Sequence, residues 1–291
     1  MDKDIWLIPK KAFFLLKRND PLRMAGATAF FTSFSLPFIV IILVQLFGLV
    51  LNRQELSIQL FRNLANIVGN PGEQQIQDIS RGFRRLATNG YVASAGFVFL
   101  LFVVTTLFKV IKDSIHQLWQ VKKTKGQWWS GLLPRLKAIG LILLIGILLL
   151  LDLAAESLLA VIRYDVAGFR PDNASLIFKV IHQLISFVII TGWMLSLFLY
   201  LPDSRFSLRV TMKGALLTGG LYTVGKLLLK WLLVSSNIHR VYGTAGAFVV
   251  ILLFVFYIAL ILYFGAAFTA VLAEHYGEAT RSARHPRIIE Q

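Results

Sequence analysis

The chain contains no cysteine. Disulfides, thiolate zinc sites, iron–sulfur clusters and cysteine nucleophiles are therefore excluded. Charge is scarce as well. Only 15% of the residues are charged, where soluble domains carry about a quarter. Acids are the rarer sign, with 15 Asp and Glu against 30 Lys and Arg and a net charge of +15. The five histidines, His116, His182, His239, His275 and His285, are scattered without metal-ligand spacing. No Ser/His/Asp set can be assembled from residue order alone. On these grounds no enzyme, no metal and no cofactor is expected.

What is abundant is apolar residues, 56% of the 291, with a mean hydropathy of +0.68. They fall in six blocks, at 25–51, 91–111, 137–160, 177–201, 211–234 and 246–273. Each is long enough to cross a hydrocarbon layer about 30 Å thick. The expected fold class is all-α: a six-span membrane bundle forming one unit over 1–291. The first run starts near Ala25, too deep and too long for a cleaved signal peptide.

With the N-terminus placed inside, 19 Lys and Arg fall on inner segments, 8 on outer segments and 3 within spans. An excess of cations on the cytoplasmic side predicts that both termini are cytoplasmic. The same excess accounts for most of the positive charge without nucleic acid, so the expected partner is membrane lipid.

Residues 1–24 mix Trp6, Phe13, Phe14 and Leu16 with Lys10, Lys11, Lys17 and Arg18. Two readings stand for this segment: an amphipathic helix on the membrane surface, or a first helix packed on the bundle. In 52–90, Leu56, Leu60, Leu64, Ile67 and Val68 recur at helical spacing. Asn70-Pro71-Gly72 then breaks the helix before Ile76, Ile79, Phe83 and Leu86. A helical hairpin capping the outer mouth is predicted, either as a structural cap or as a lid. Residues 274–291 form a tail.

The stretch GGLYTVGKLLLK contains Gly220-x4-Gly225-Lys226, most of a phosphate-binding loop pattern. That loop requires a hydroxyl after the lysine and a preceding strand. Residue 227 is Leu, and the match lies inside an apolar span, where an open loop would leave backbone groups unsatisfied. The nucleotide reading fails. What it leaves is Lys226 and Lys230 on one face of a membrane helix, continued backwards by Thr223 and Gly219. Lys226 lies about 20 Å and Lys230 about 25 Å beyond Lys213 at the inner boundary. The third span carries Asp152 and Glu156 at i, i+4, about 22 and 28 Å beyond Lys137. The four groups reach the same depth, so two readings stand: they approach one another or line one outward-facing polar cavity, or Glu156 and Lys230 snorkel and Asp152 caps a water pocket.

In the first span, Thr28, Thr32 and Ser35 make a polar stripe beside Pro37, which removes one helix hydrogen bond and favours a kink. Such a stripe suits a solute pathway and equally suits close helix packing. Packing is also the reading for Gly243, Gly246 and Gly265. At the inner end of the second span, Lys109 and Asp113 stand at i, i+4, a local pair.

Several blocks together resemble the BrkB/YihY family of bacterial inner-membrane proteins. They are Asp20 followed by AGATAFFTSFSLP, the exit KDSIHQLW, GALLTGGLYTVGK, and the closing YGTAGAFVVILLFVFYIALILYFGAAFTAVL. Asp113, Trp119, Lys226, Tyr242-Gly243 and Gly265-Ala266 match the family pattern. The chain departs from it at Ala267, where the family commonly has Glu, and at Ala27 and Phe30, where Asn and Tyr are frequent. The resemblance implies six inner-membrane spans, cytoplasmic termini and no settled activity. Some members carry ribonuclease or virulence labels, and a transport or lipid-translocating role has been suggested for the family. The expected function is transport of an anionic amphipathic or lipid-like solute through an intramembrane cavity. The other reading is an envelope scaffold that binds a partner through the outer cap.

Overall fold

The computed structural model describes residues 5–47, 90–121, 171–203, 206–235 and 246–278, together with the isolated positions 140, 141, 144, 147, 148 and 151. Among these residues every regular element is helical. A single 3-10 turn (Ile5–Leu7) leads into α1 (Ile8–Arg18). Five long helices follow: α2 (Pro21–Phe47), α3 (Gly90–Leu118), α4 (Pro171–Tyr200), α5 (Leu208–Ser235) and α6 (Gly246–His275). Five of the six expected spans are thus long helices. The six isolated positions of the third span are helical, and the rest of that span lies outside the described residues. So do the expected outer hairpin over 52–90 and most of the tail. Within the described residues, Val180–Tyr200 and Ile251–His275 are long and apolar enough to cross a membrane.

Helix ends follow from side-chain chemistry more closely than from hydropathy. α2 starts at Pro21, whose missing N–H belongs among the unpaired donors of a first turn. It then runs on through Pro37. α3 extends beyond the apolar block to Leu118, because Ile111, Ile115 and Leu118 continue a buried face at i, i+4, i+7. Gln120 closes it with a left-handed φ of 53°. Val121 N–H then reaches the His116 carbonyl at 2.9 Å and Gln120 N–H the Gln117 carbonyl at 3.3 Å. Gly277, with φ 68°, closes α6 in the same way: Glu278 N–H bonds the Ala273 carbonyl and Gly277 N–H the Glu274 carbonyl. These paired bonds satisfy carbonyls that a helix end otherwise leaves open.

All these ends meet at one pole. Gln117 donates to Asn19, Lys112 pairs with Asp203 after α4, and Ser207 N–H before α5 bonds the Glu278 carboxylate after α6. α2 and α5 therefore run away from this pole, while α3, α4 and α6 run towards it. α6 is the hub and packs against α1, α2, α3 and α5. Its Ala259, Tyr263, Ala266, Ala267, Thr269 and Ala273 are all buried. Small residues on several faces let four neighbours approach one axis.

Candidate functional site

The site is built on α5. Gly214 and Thr218 stand four apart, and so do Gly265 and Thr269 on α6. The helices are antiparallel, so the two sets interlock. A methyl group at Gly214 would collide with Thr269, and one at Gly265 with Thr218. Each threonine donates back to its own helix, Thr218 Oγ1 to the Gly214 carbonyl and Thr269 Oγ1 to the Gly265 carbonyl, both at 2.7 Å. Each hydroxyl is thereby satisfied in an apolar setting, and its oxygen is the side-chain atom that lies nearest the neighbour's glycine. One turn on, Gly219 meets Thr191 of α4, and Gly225 receives the ring and hydroxyl of Tyr257.

The glycines of the phosphate-loop look-alike therefore have other roles. The match lies in an unbroken helix, Gly225 makes room for Tyr257, and a methyl at Gly220 would meet nothing within 4 Å. Of the stripe Gly219–Thr223–Lys226, Gly219 is a packing contact and Thr223 donates to the Gly219 carbonyl at 2.9 Å. Lys226 is half-buried and has no ion-pair partner among the described residues. Lys230 belongs to the same helix, but its side chain lies outside the described residues, as do Asp152 and Glu156. The expected meeting of these four charges thus has one described member.

The stripe on α2 is brought against α6 and α3. Thr28 hydrogen-bonds the Tyr263 hydroxyl, which also bonds Ser114 of α3, and all three side chains are buried. Ser35, fully buried, donates to the Thr32 carbonyl at 3.1 Å, and Thr32 is half-buried. The Ser33 hydroxyl is buried without a hydrogen-bond partner among the described residues. Three helices therefore share one hydroxyl node at Tyr263. Tyr263→Phe is expected to cost about 1 kcal/mol of stability, the net value of a typical hydrogen bond. Thermal unfolding in detergent measures it, and an unchanged midpoint would make the node incidental.

At the pole, Trp119 is 3% exposed and its Nε1–H donates to the Ala266 carbonyl at 3.0 Å. Phe206 lies 4.6 Å and Phe198 6.4 Å from it, centroid to centroid. Asp113 is half-buried on α3. Nearby, the Asp203 N–H donates to His116 Nε2 at 3.0 Å, so that nitrogen carries no proton and the ring is neutral. Its 3.9 Å approach to Asp203 Oδ2 is consequently not an ion pair. The Lys112–Asp203 pair at 2.8 Å is genuine, but Asp203 is half-exposed, so the pair is worth about 0–1 kcal/mol.

Sequence reasoning passed over Tyr263, Tyr257, His116 and Asp203. The two tyrosines had a usable signal, since a phenol within a long apolar helix requires a partner. Asp203 had a weaker one, as the acid in the short link between two spans.

Among proteins of known sequence, the chain is 25% identical over 274 residues to a protein of Teredinibacter turnerae described as a UPF0761 membrane protein. The aligned region covers 91% of this chain and 60% of that relative's length. No solved structure matches. The model of the family described as Virulence factor BrkB matches residues 13–289. With its apolar helices and this match along nearly its whole length, the chain belongs to the BrkB family of membrane proteins.

Proposed function

We propose that the protein moves an anionic amphipathic or lipid-like solute across the bacterial inner membrane, with Lys226 meeting the solute's head group. One observation carries this reading. Lys226 sits well inside a long apolar helix, half-buried, with no counter-charge among the described residues. An ammonium at such a position is costly unless a partner or a water-filled cavity receives it, and intramembrane cations commonly mark a pathway. The nearby Thr223 hydroxyl donates to the Gly219 carbonyl. Asp152 and Glu156, on the third span, are the candidate resting partners that the solute's anion displaces.

Flux into liposomes tests the reading. Wild type is expected to move fluorescent anionic lipid analogues, Lys226→Ala to lose at least about tenfold in rate, and Lys226→Arg to retain most of it. Equal flux in wild type and Lys226→Ala would end the proposal. Charge reversal tests the pairing: Lys226→Asp with Asp152→Lys should recover folding or flux that each single change loses. In the proposed orientation both termini face the cytoplasm, the side favoured by the cation excess. Single cysteines placed near either end, unique in a chain without any, would report that side by labelling.

A further inference from the structure

We propose that α1, with Trp6 before it, is a docking surface for anionic phospholipid head groups, held to the bundle by its opposite face. Ile8, Ala12 and Leu16, at i, i+4, i+8, are buried, and α1 packs on the hub helix α6. This narrow line settles one of the two sequence readings and leaves the other open, because the rest of the helix faces outwards. Trp6 is 88% exposed, and Phe13 and Phe14 are 56% exposed each. Lys10, Lys11, Lys17 and Arg18 alternate with these rings around the same arc and are exposed too. Residues 5–18 contain no acid.

Neither water nor hydrocarbon suits such a face. Three large rings would stand in water, or four cations would enter the acyl region at a cost of about 2.5 kcal/mol or more each. The head-group layer satisfies both, with rings at the acyl boundary and cations reaching phosphates. The position of the helix agrees. Asn19 caps α1 by donating to the Leu15 carbonyl at 2.7 Å and accepts from Gln117, which ties the helix end to the polar pole. At the same pole Lys213 lies 4.8 Å from the Tyr276 ring centroid and donates to its hydroxyl, a second cation–aromatic pair of the kind found at membrane interfaces. A cationic face without acids selects anionic over zwitterionic lipid. This inference does not depend on the transport reading.

The absence of cysteine allows a single fluorophore at Phe14→Cys in the full chain. Reconstituted in phosphatidylcholine vesicles, it is quenched by trace lipid spin-labelled near the top of the acyl chain, either phosphatidylglycerol or phosphatidylcholine. Phosphatidylglycerol is expected to associate at least about fivefold better, the factor one engaged cation supplies. The preference should fall to near unity in K10Q/K11Q/K17Q/R18Q and persist in K10R/K11R/K17R. Equal quenching by both lipids in the otherwise wild-type chain overturns the proposal. So does strong quenching by aqueous iodide, which would put the face in water. Shielding that grows only with protein density would assign the face to a second copy of the chain and also overturn it.

Discussion

Trp119→Ala is expected to destabilise the protein by about 3–5 kcal/mol, the range for truncating a large buried aromatic. The indole is 3% exposed and fills the space between Phe206, Phe198 and α6. Its position just beyond α3 makes the loss wider than one cavity. Trp119 Nε1–H on the Ala266 carbonyl joins the end of α3 to the hub helix, and Phe206 belongs to the link between α4 and α5. Removing the ring therefore loosens three helix ends at the pole. Trp119→Phe keeps much of the volume and loses the hydrogen bond, so it should cost nearer 1 kcal/mol beyond a small packing defect. Thermal or SDS-induced unfolding in micelles would rank the two. If Trp119→Ala were no worse than Trp119→Phe, ring packing would not be what holds the pole.

The second large effect is at the α5–α6 contact. Gly214→Ala places a methyl group into Thr269, and Gly265→Ala places one into Thr218. Overpacking of this kind costs about 1–3 kcal/mol. In lipid there is little hydrophobic drive between helices, so close van der Waals contact supplies much of what holds the pair together. The helices have to separate to admit the methyl, which loosens the whole interface. Two changes in contact should then be non-additive. Gly214→Ala with Thr269→Ala removes the colliding hydroxyl and methyl, and the double variant is expected to be more stable than Gly214→Ala alone. Gly220→Ala is the control, since nothing lies within 4 Å of its added methyl; near-wild-type stability is expected there. An equally damaging Gly220→Ala would show that backbone effects, and not the interlock, govern this helix.

Much of the architecture was legible because hydropathy and helical period are local properties. Gly214, Thr218, Gly265 and Thr269 are visible in sequence as two sets spaced four apart, which suffices to suspect packing. Which threonine meets which glycine is invisible there, since the partners lie about 50 residues apart in the chain and their register depends on where each helix begins. Tyr263 shows the same limit. Thr28 was picked out as one member of a polar stripe on its own helix, while its bonding partner stands 235 residues away. Of the lysine stripe, sequence gave the shared face of Gly219, Thr223 and Lys226. Only the fold separates their roles, assigning the glycine to contact with Thr191 and the threonine to its own backbone.

By itself, then, the sequence determined the helical character of the described residues, their long apolar segments, an excess of cations, no thiol chemistry, and a lysine inside an apolar helix. These follow from composition and from periods of a few residues, which no neighbour can alter. Tertiary structure alone decided that the last helix is the hub, that α1 is anchored by one narrow face, and that three helices share the Tyr263 hydroxyl. Those outcomes depend on which surfaces meet, because side-chain size and hydrogen-bond geometry act only between segments already brought together.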